Sequence, residues 1–248
     1  MPLTTVVEGD GEPTVVFVHG VLDRGRSFAG VAAELRHEYR TVRYDRRGYG
    51  DSQHPDEPVA DLSTHIDDLL AIIGDHPAVI AAHSHGGLIA LGAALRRPDI
   101  VRAILLYETA ISWLPEWPRT MMDDALYSDD PISASLRALL KERVDTMSDA
   151  ELAIRRRDTT VLVTEMLEVR RNGAPFDLRK VKTPIVYGVT MREPFARAPQ
   201  HLLAFGCDVD VVDTAAPGHN LHRDDPVAFA ALTRRAVARH AEAGSHAN

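Results

Sequence analysis

Six short apolar runs, set apart by longer stretches, constrain this chain more than any other feature. They are Thr14–His19 (TVVFVH), Thr41–Asp45 (TVRYD), Val79–His83, Val101–Tyr107, Pro184–Tyr187 and Asp208–Val212. Most are apolar at consecutive positions rather than alternate ones. Such a strand has to be covered on both faces, as in a parallel sheet held between helices. The intervening segments Ser27–Arg36, Ser63–Ile73, Gly87–Arg96 and Pro226–His240 carry apolar residues at three- and four-residue spacing and read as helices. Asp61 and Ser63 are candidate caps for the second of them. Strand–helix–strand repetition implies right-handed crossovers and a doubly wound, mostly parallel α/β sheet.

One stretch breaks the alternation. From about residue 111 to 178 the pattern is helical, with no clear strand. The expected organisation is a core of residues 1–110 and 179–248, with 111–178 inserted as a helical cap over one end of the sheet. Trp113, Leu114, Trp117 and Met121 are candidate pocket residues within it, although each would serve equally well in a small core belonging to the insertion. Ala241–Asn248 is a polar tail expected to fray.

Composition narrows the function. A length of 248 residues suits a single α/β domain. A net charge of −8 argues against nucleic acid or an anionic membrane as partner, since either calls for a basic face. No apolar stretch approaches the ~20 residues that span a bilayer, and Met1–Asp10 has no signal-like pattern. Cys207 is the single cysteine, which excludes an internal disulfide and a cysteine-based metal site. Phosphate-loop and dinucleotide-binding glycine motifs are absent, and no spaced His/Asp/Glu cluster suggests a metal. The expectation is a cytoplasmic monomer or homodimer that acts on a small molecule without metal or cofactor.

Three motifs carry chemistry. Ala82-His83-Ser84-His85-Gly86-Gly87 follows a strand and opens a helix. A serine there stands on a sharp turn at the carboxyl end of the sheet, and small residues two positions to either side let strand and helix approach. His19-Gly20 ends an earlier strand, where a tight turn presents backbone N–H groups. The amides of Val21 and His85 are the two candidate oxyanion donors. Pro217-Gly218-His219 follows the last strand, and a histidine on that loop can reach a serine on the central strand. His222 is its rival. Asp45, Arg46, Arg47 and Asp51 form a charged loop read as pinning its own turn by ion pairs.

FVHG (17–20), YDRRGYGDS (44–52), AHSHGG (82–87) and PGH (217–219), in this order, resemble the α/β-hydrolase superfamily across nearly the whole chain. The resemblance implies a Ser–acid–His triad with Ser84 as nucleophile and His219 as base. The acid departs from the commoner pattern. Many members carry G-x-x-D after the next-to-last strand; here that place reads Gly188-Val189-Thr190-Met191, with Glu193 two residues on. Haloalkane dehalogenase-like members instead place the acid after the strand that follows the nucleophile, which here reads Leu106-Tyr107-Glu108. Glu108 is the first candidate, with Glu193, Asp208 and Asp210 behind it. A dehalogenase itself would need an aspartate where Ser84 stands.

The expected activity is hydrolysis of a carboxylic ester, or a related acyl bond, of a medium-sized apolar or aromatic substrate. Two alternatives stand beside it. One is a C–C bond hydrolase, lyase or other reaction on the same triad. The other is a small-molecule binding protein on a hydrolase scaffold, motivated by Met191 in the usual acid position.

Overall fold

A computed structural model describes residues 2–245 apart from 55–56, 115–116, 119–120, 191–192 and 216–217, and apart from the side chains of Met121 and residues 242–245. Seven strands form one sheet: β1 (Thr5–Glu8), β2 (Thr14–Val18), β3 (Thr41–Tyr44), β4 (Ala78–His83), β5 (Val101–Tyr107), β6 (Ile185–Val189) and β7 (Val209–Asp213). Their order is β1-β3-β2-β4-β5-β6-β7. Every pair is parallel except β1 with β3. The sequence reading missed β1, an edge strand whose side chains face solvent and so lack an apolar run.

Successive side chains of a strand point to opposite faces, and the two faces feed two cores. Val16 and Val18 of β2, with Ile80 and Ala82 of β4, pack under α2 (Leu62–Ile73) and α3 (Gly86–Arg96). Val15 and Phe17, with Val79 and Ala81, pack under α1 (Ala29–Leu35) and α9 (Pro226–Ser245). Asp61 caps α2 by accepting from the Thr64 N–H at 2.7 Å. Helix α9 runs five residues past the expected end at His240, through Ala-rich sequence that favours helix; residues 246–248 lie outside the described part.

Between β5 and β6 come α4 (Met121–Leu126), α5 (Pro131–Leu140) and α6 (Asp149–Asn172), with no strand among the described residues. Ser148 opens α6 with a capping box to Glu151. These helices have a small core of their own, Leu126, Leu162 and Val163, against which Val21, Met122 and Met166 pack. Two shorter helices, α7 (Ala198–Ala204) and α8 (Leu221–Asp224), were not anticipated, being too short to show periodicity.

Close approach fixes two glycines at the entrance to α3. A Cβ on Gly86 would lie 2.4 Å from the Val18 carbonyl oxygen, and one on Gly87 would lie 2.0 Å from Thr109 Oγ1. Gly74, with φ +68°, has nothing within 4 Å of its would-be Cβ. Gly86→Ala should therefore lower the melting temperature beyond the effect of Gly74→Ala, which meets no atom and carries only the penalty of its φ +68°, ψ −143° backbone, about 1–3 kcal/mol. Thermal unfolding of the two variants checks this; equal losses would contradict the packing argument.

Candidate active site

Ser84 sits where β4 turns into α3, with φ +53°. The left-handed backbone costs a non-glycine residue roughly 1–2 kcal/mol. Neighbouring hydrogen bonds hold it there: Ser84 N–H donates to the Tyr107 carbonyl at 2.9 Å, and Gly87 N–H to the Ser84 carbonyl at 3.0 Å. Leu22 (φ +55°) and Glu108 (φ +47°) also hold left-handed conformations beside the carboxyl ends of the strands. The Ser84 hydroxyl has no hydrogen-bond partner among the described residues, and the side chain faces a cavity.

Glu108 ends β5 and is buried. One carboxylate oxygen lies 2.8 Å from His219 Nδ1. The other accepts from the Thr190 N–H at 3.1 Å and from the Thr190 hydroxyl. Burial alone would push this carboxyl up; the bonds from His219 and Thr190 outweigh it and hold the group below the usual glutamate range. With Nδ1–H donating to a carboxylate, the other ring nitrogen of His219 is left to accept a proton. The ring stacks on Phe195 at 4.9 Å between centroids and lies 4.5 Å from the ring of His83, the residue preceding Ser84. His83 Nε2 donates to the His219 carbonyl at 2.8 Å, which ties the C-terminal loop to β4.

Val21, Ser84 and His85 line one cavity, His219 is bonded to Glu108 beside the ring of His83, and the rival residues lie elsewhere. Glu193 is exposed and paired with Arg197 at 2.7 Å. Asp208 and Asp210 pair with Arg239 and Arg235 on α9. His222 is fully buried and donates to Asp23 at 2.9 Å. Met191, in the usual acid position, lies outside the described residues, as does Pro217 of the loop motif. Thr190, just before Met191, is the residue the sequence reading missed: it supplies two donors to the carboxylate that follows the neighbouring strand.

The cavity above Ser84 has a volume of about 240 Å³. Val21, Ser84 and His85 form its floor, and Met122, Met166, Val169 and Arg170 come from the helices between β5 and β6. Of the four expected pocket residues, Trp117 lines it. Trp113 and Leu114 do not: Trp113 packs edge-on against Phe176, and Leu114 is buried in the main core. The side chain of Met121 lies outside the described part. Both misplaced residues are large and apolar, and the core claimed them as readily as a pocket would.

Beneath this floor lies a buried ion pair. Arg46 is fully buried and donates to Glu165 of α6 from both terminal nitrogens, at 2.6 and 3.1 Å. Tyr49 also donates to Glu165, at 3.0 Å, and His65 Nε2 lies 2.8 Å from it. The expected self-pinned turn is thus corrected for Arg46, which crosses to another element. Asp45 likewise accepts from the N–H groups of Gly25 and Asp51, each at 2.8 Å, rather than forming an ion pair. Arg47 does pair with acids, Glu57 and Asp68. A signal for Glu165 was present in the sequence: it is a charge on the buried stripe Val161, Leu162, Glu165, Val169 of α6.

Asp23, His83 and His222 are the described residues whose spacing would suit a metal ion. The carboxylate is already committed, however. It accepts from His222, Ser27, the Arg24 N–H and Arg223, whose cation lies against it. The trio reads as a hydrogen-bonded hub behind the active site.

The chain matches the family model for the alpha/beta hydrolase fold over residues 13–148. It belongs to the α/β-hydrolase fold family. Among curated proteins, it is 34% identical over 113 residues to the sn-1-specific diacylglycerol lipase ABHD11 of Mus musculus, covering 44% of this chain and 37% of that protein. It is 32% identical over 123 residues to Lipase LipV of Mycobacterium tuberculosis, covering 48% of this chain and 46% of the lipase. The chain thus matches less than half the length of these curated relatives. A bacterial membrane phospholipase A superposes with a TM-score of 0.74 at 19% identity, over 95% of this chain and 82% of its own, which is a likeness of fold. No helix among the described residues is long and apolar enough to cross a membrane.

Three histidines around this α/β-hydrolase site are held neutral. Burial pulls His19 down to about 3 and His85 down to about 4 from an ordinary 6.5, and His83 falls well below it for the same reason. Between about pH 6.5 and 4 the unfolded chain binds protons at these rings and the folded chain does not. Stability is therefore full above pH 6.5 and declines as the pH drops through that window. The melting temperature should fall steadily from pH 7 to 4.5, less steeply in His85→Gln; a flat profile for the parent would contradict the neutral assignment.

Proposed function

We propose that this chain is a serine hydrolase that cleaves carboxylic esters of medium-sized apolar or aromatic substrates through an acyl-enzyme. The observation that carries this reading is the 2.8 Å contact between His219 Nδ1 and a buried Glu108, beside a serine on a strained turn that lines an apolar cavity. The two lipase names among the relatives support the bond class.

His219 takes the Ser84 proton as the hydroxyl attacks the ester carbonyl. Glu108 holds the ring in orientation and stabilises the imidazolium that forms. Charge that develops on the carbonyl oxygen is met by the Val21 and His85 N–H groups. Among the described residues, neither has a hydrogen-bond acceptor in the free protein. His219 then protonates the departing alcohol. Water enters, gives its proton to the same ring and releases the acid. The helices between β5 and β6 act as the cap: Met122, Met166, Val169 and Trp117 bind the apolar part of the substrate and keep bulk water from the reacting centre.

Hydrolysis of p-nitrophenyl esters of increasing acyl length tests this. Ser84→Ala should remove the activity. Glu108→Gln should lower kcat by about a thousandfold or more, because a mispolarised imidazole cannot act as base. Glu193→Gln should stay within about twofold of the parent. Comparable losses at Glu108 and Glu193, or turnover that survives Ser84→Ala, would refute the assignment.

A further inference from the structure

We propose that Arg46 is a positioning residue that aims the Val21 N–H at the reacting carbonyl oxygen, and that Glu165 of the pocket-lining helix holds Arg46 in place to do so. This inference rests on the reading of Val21 as an oxyanion donor in an ester hydrolase.

The case begins with the peptide between Gly20 and Val21. A trans peptide is planar, with C=O and N–H pointing in opposite directions, so fixing the oxygen fixes the hydrogen. The Gly20 carbonyl accepts from an Arg46 terminal nitrogen at 3.1 Å and from His19 Nδ1 at 2.8 Å, which occupies both of its lone pairs. Arg46 Nε donates to the preceding His19 carbonyl at 3.0 Å. The Arg46 backbone N–H donates to His19 Nε2 at 2.9 Å, which completes the ring's bonds and fixes its neutral tautomer. One guanidinium and one imidazole thus clamp two consecutive carbonyls from the core side. The Val21 N–H is left pointing the other way, and Val21 lines the cavity together with Ser84.

A guanidinium with no access to solvent needs a counter-charge, and Glu165 supplies it with two oxygens. Glu165 is adjacent to Met166 and within five residues of Val169 and Arg170, three residues that wall the cavity. The helix that shapes the substrate pocket therefore also seats the arginine that orients the oxyanion amide. His85, whose N–H is the second donor, has its ring 3.9 Å from the same carboxylate. Pocket and oxyanion hole are set by one buried charge pair.

A positioning role differs from a stabilising one in what survives when the pair is replaced without leaving a bare charge. Arg46→Met alone strands Glu165 and should lower the melting temperature strongly. The double variant Arg46→Met, Glu165→Gln removes both charges and keeps an acceptor for Tyr49, and should regain much of that stability. Its second-order rate of reaction with a neutral fluorophosphonate at Ser84, and its kcat on a p-nitrophenyl ester, should still be about ten- to a hundredfold down, with KM nearly unchanged. Glu165→Gln alone, which keeps the clamp on Gly20, should fall between this variant and the parent. Recovery of the rate together with the melting temperature in the double variant would overturn the positioning role. A parent protein whose Ser84 does not react would overturn the ester-hydrolase reading itself, and with it this inference.

Discussion

A carboxylate buried at the end of β5 is the constraint on which the rest of the site depends. Glu108 cannot stay charged there without donors, since an unpaired buried carboxylate costs several kcal/mol. It finds them just past the end of β6, through Thr190, and on the loop after β7, through His219. Two neighbouring strands and a C-terminal loop more than a hundred residues away in sequence are thereby drawn to one point. The left-handed backbone at Glu108 and at Ser84 is tolerated because these contacts over-determine it.

Charge is handled in the same way throughout the neighbourhood. The imidazoles of His19, His83 and His85 are held neutral by burial; His19 bonds Gly20 and Arg46 through its two ring nitrogens, and His83 donates to the His219 carbonyl. The buried charges Arg46 and Glu165 face each other. A centre built this way changes little in polarity as substrate enters, so its dipoles are already oriented when charge develops on the carbonyl. The helices between β5 and β6 join this electrostatic frame through Glu165, although they are otherwise held by a small apolar core.

Much of the fold was legible in the sequence because parallel strands covered on both faces leave unbroken apolar runs. The six runs correspond to β2 through β7. What escaped lacks that signal: β1 is largely exposed, and α7 and α8 are shorter than two full helical repeats. In the site, strong local context singled out Ser84, after β4, and His219, after a glycine. Glu108 was placed by its position at a strand end. Thr190 and the function of the Arg46 side chain were invisible because each depends on a partner brought near only by the tertiary fold, whereas Glu165 left a trace as a charge on the buried stripe of α6. Trp113 and Leu114 show the opposite error, where apolar character marks burial without saying whether the burial faces a cavity or the core.

The reading of Ser84 as a nucleophile is tested most directly by the site of covalent capture. After treatment with a fluorophosphonate, peptide mass spectrometry of the folded protein should locate a single phosphonyl adduct on Ser84. The adduct should be absent from Ser84→Ala and strongly reduced in His219→Ala. An unmodified Ser84, or equal labelling with and without the imidazole at position 219, would contradict the account and leave only the α/β-hydrolase fold standing.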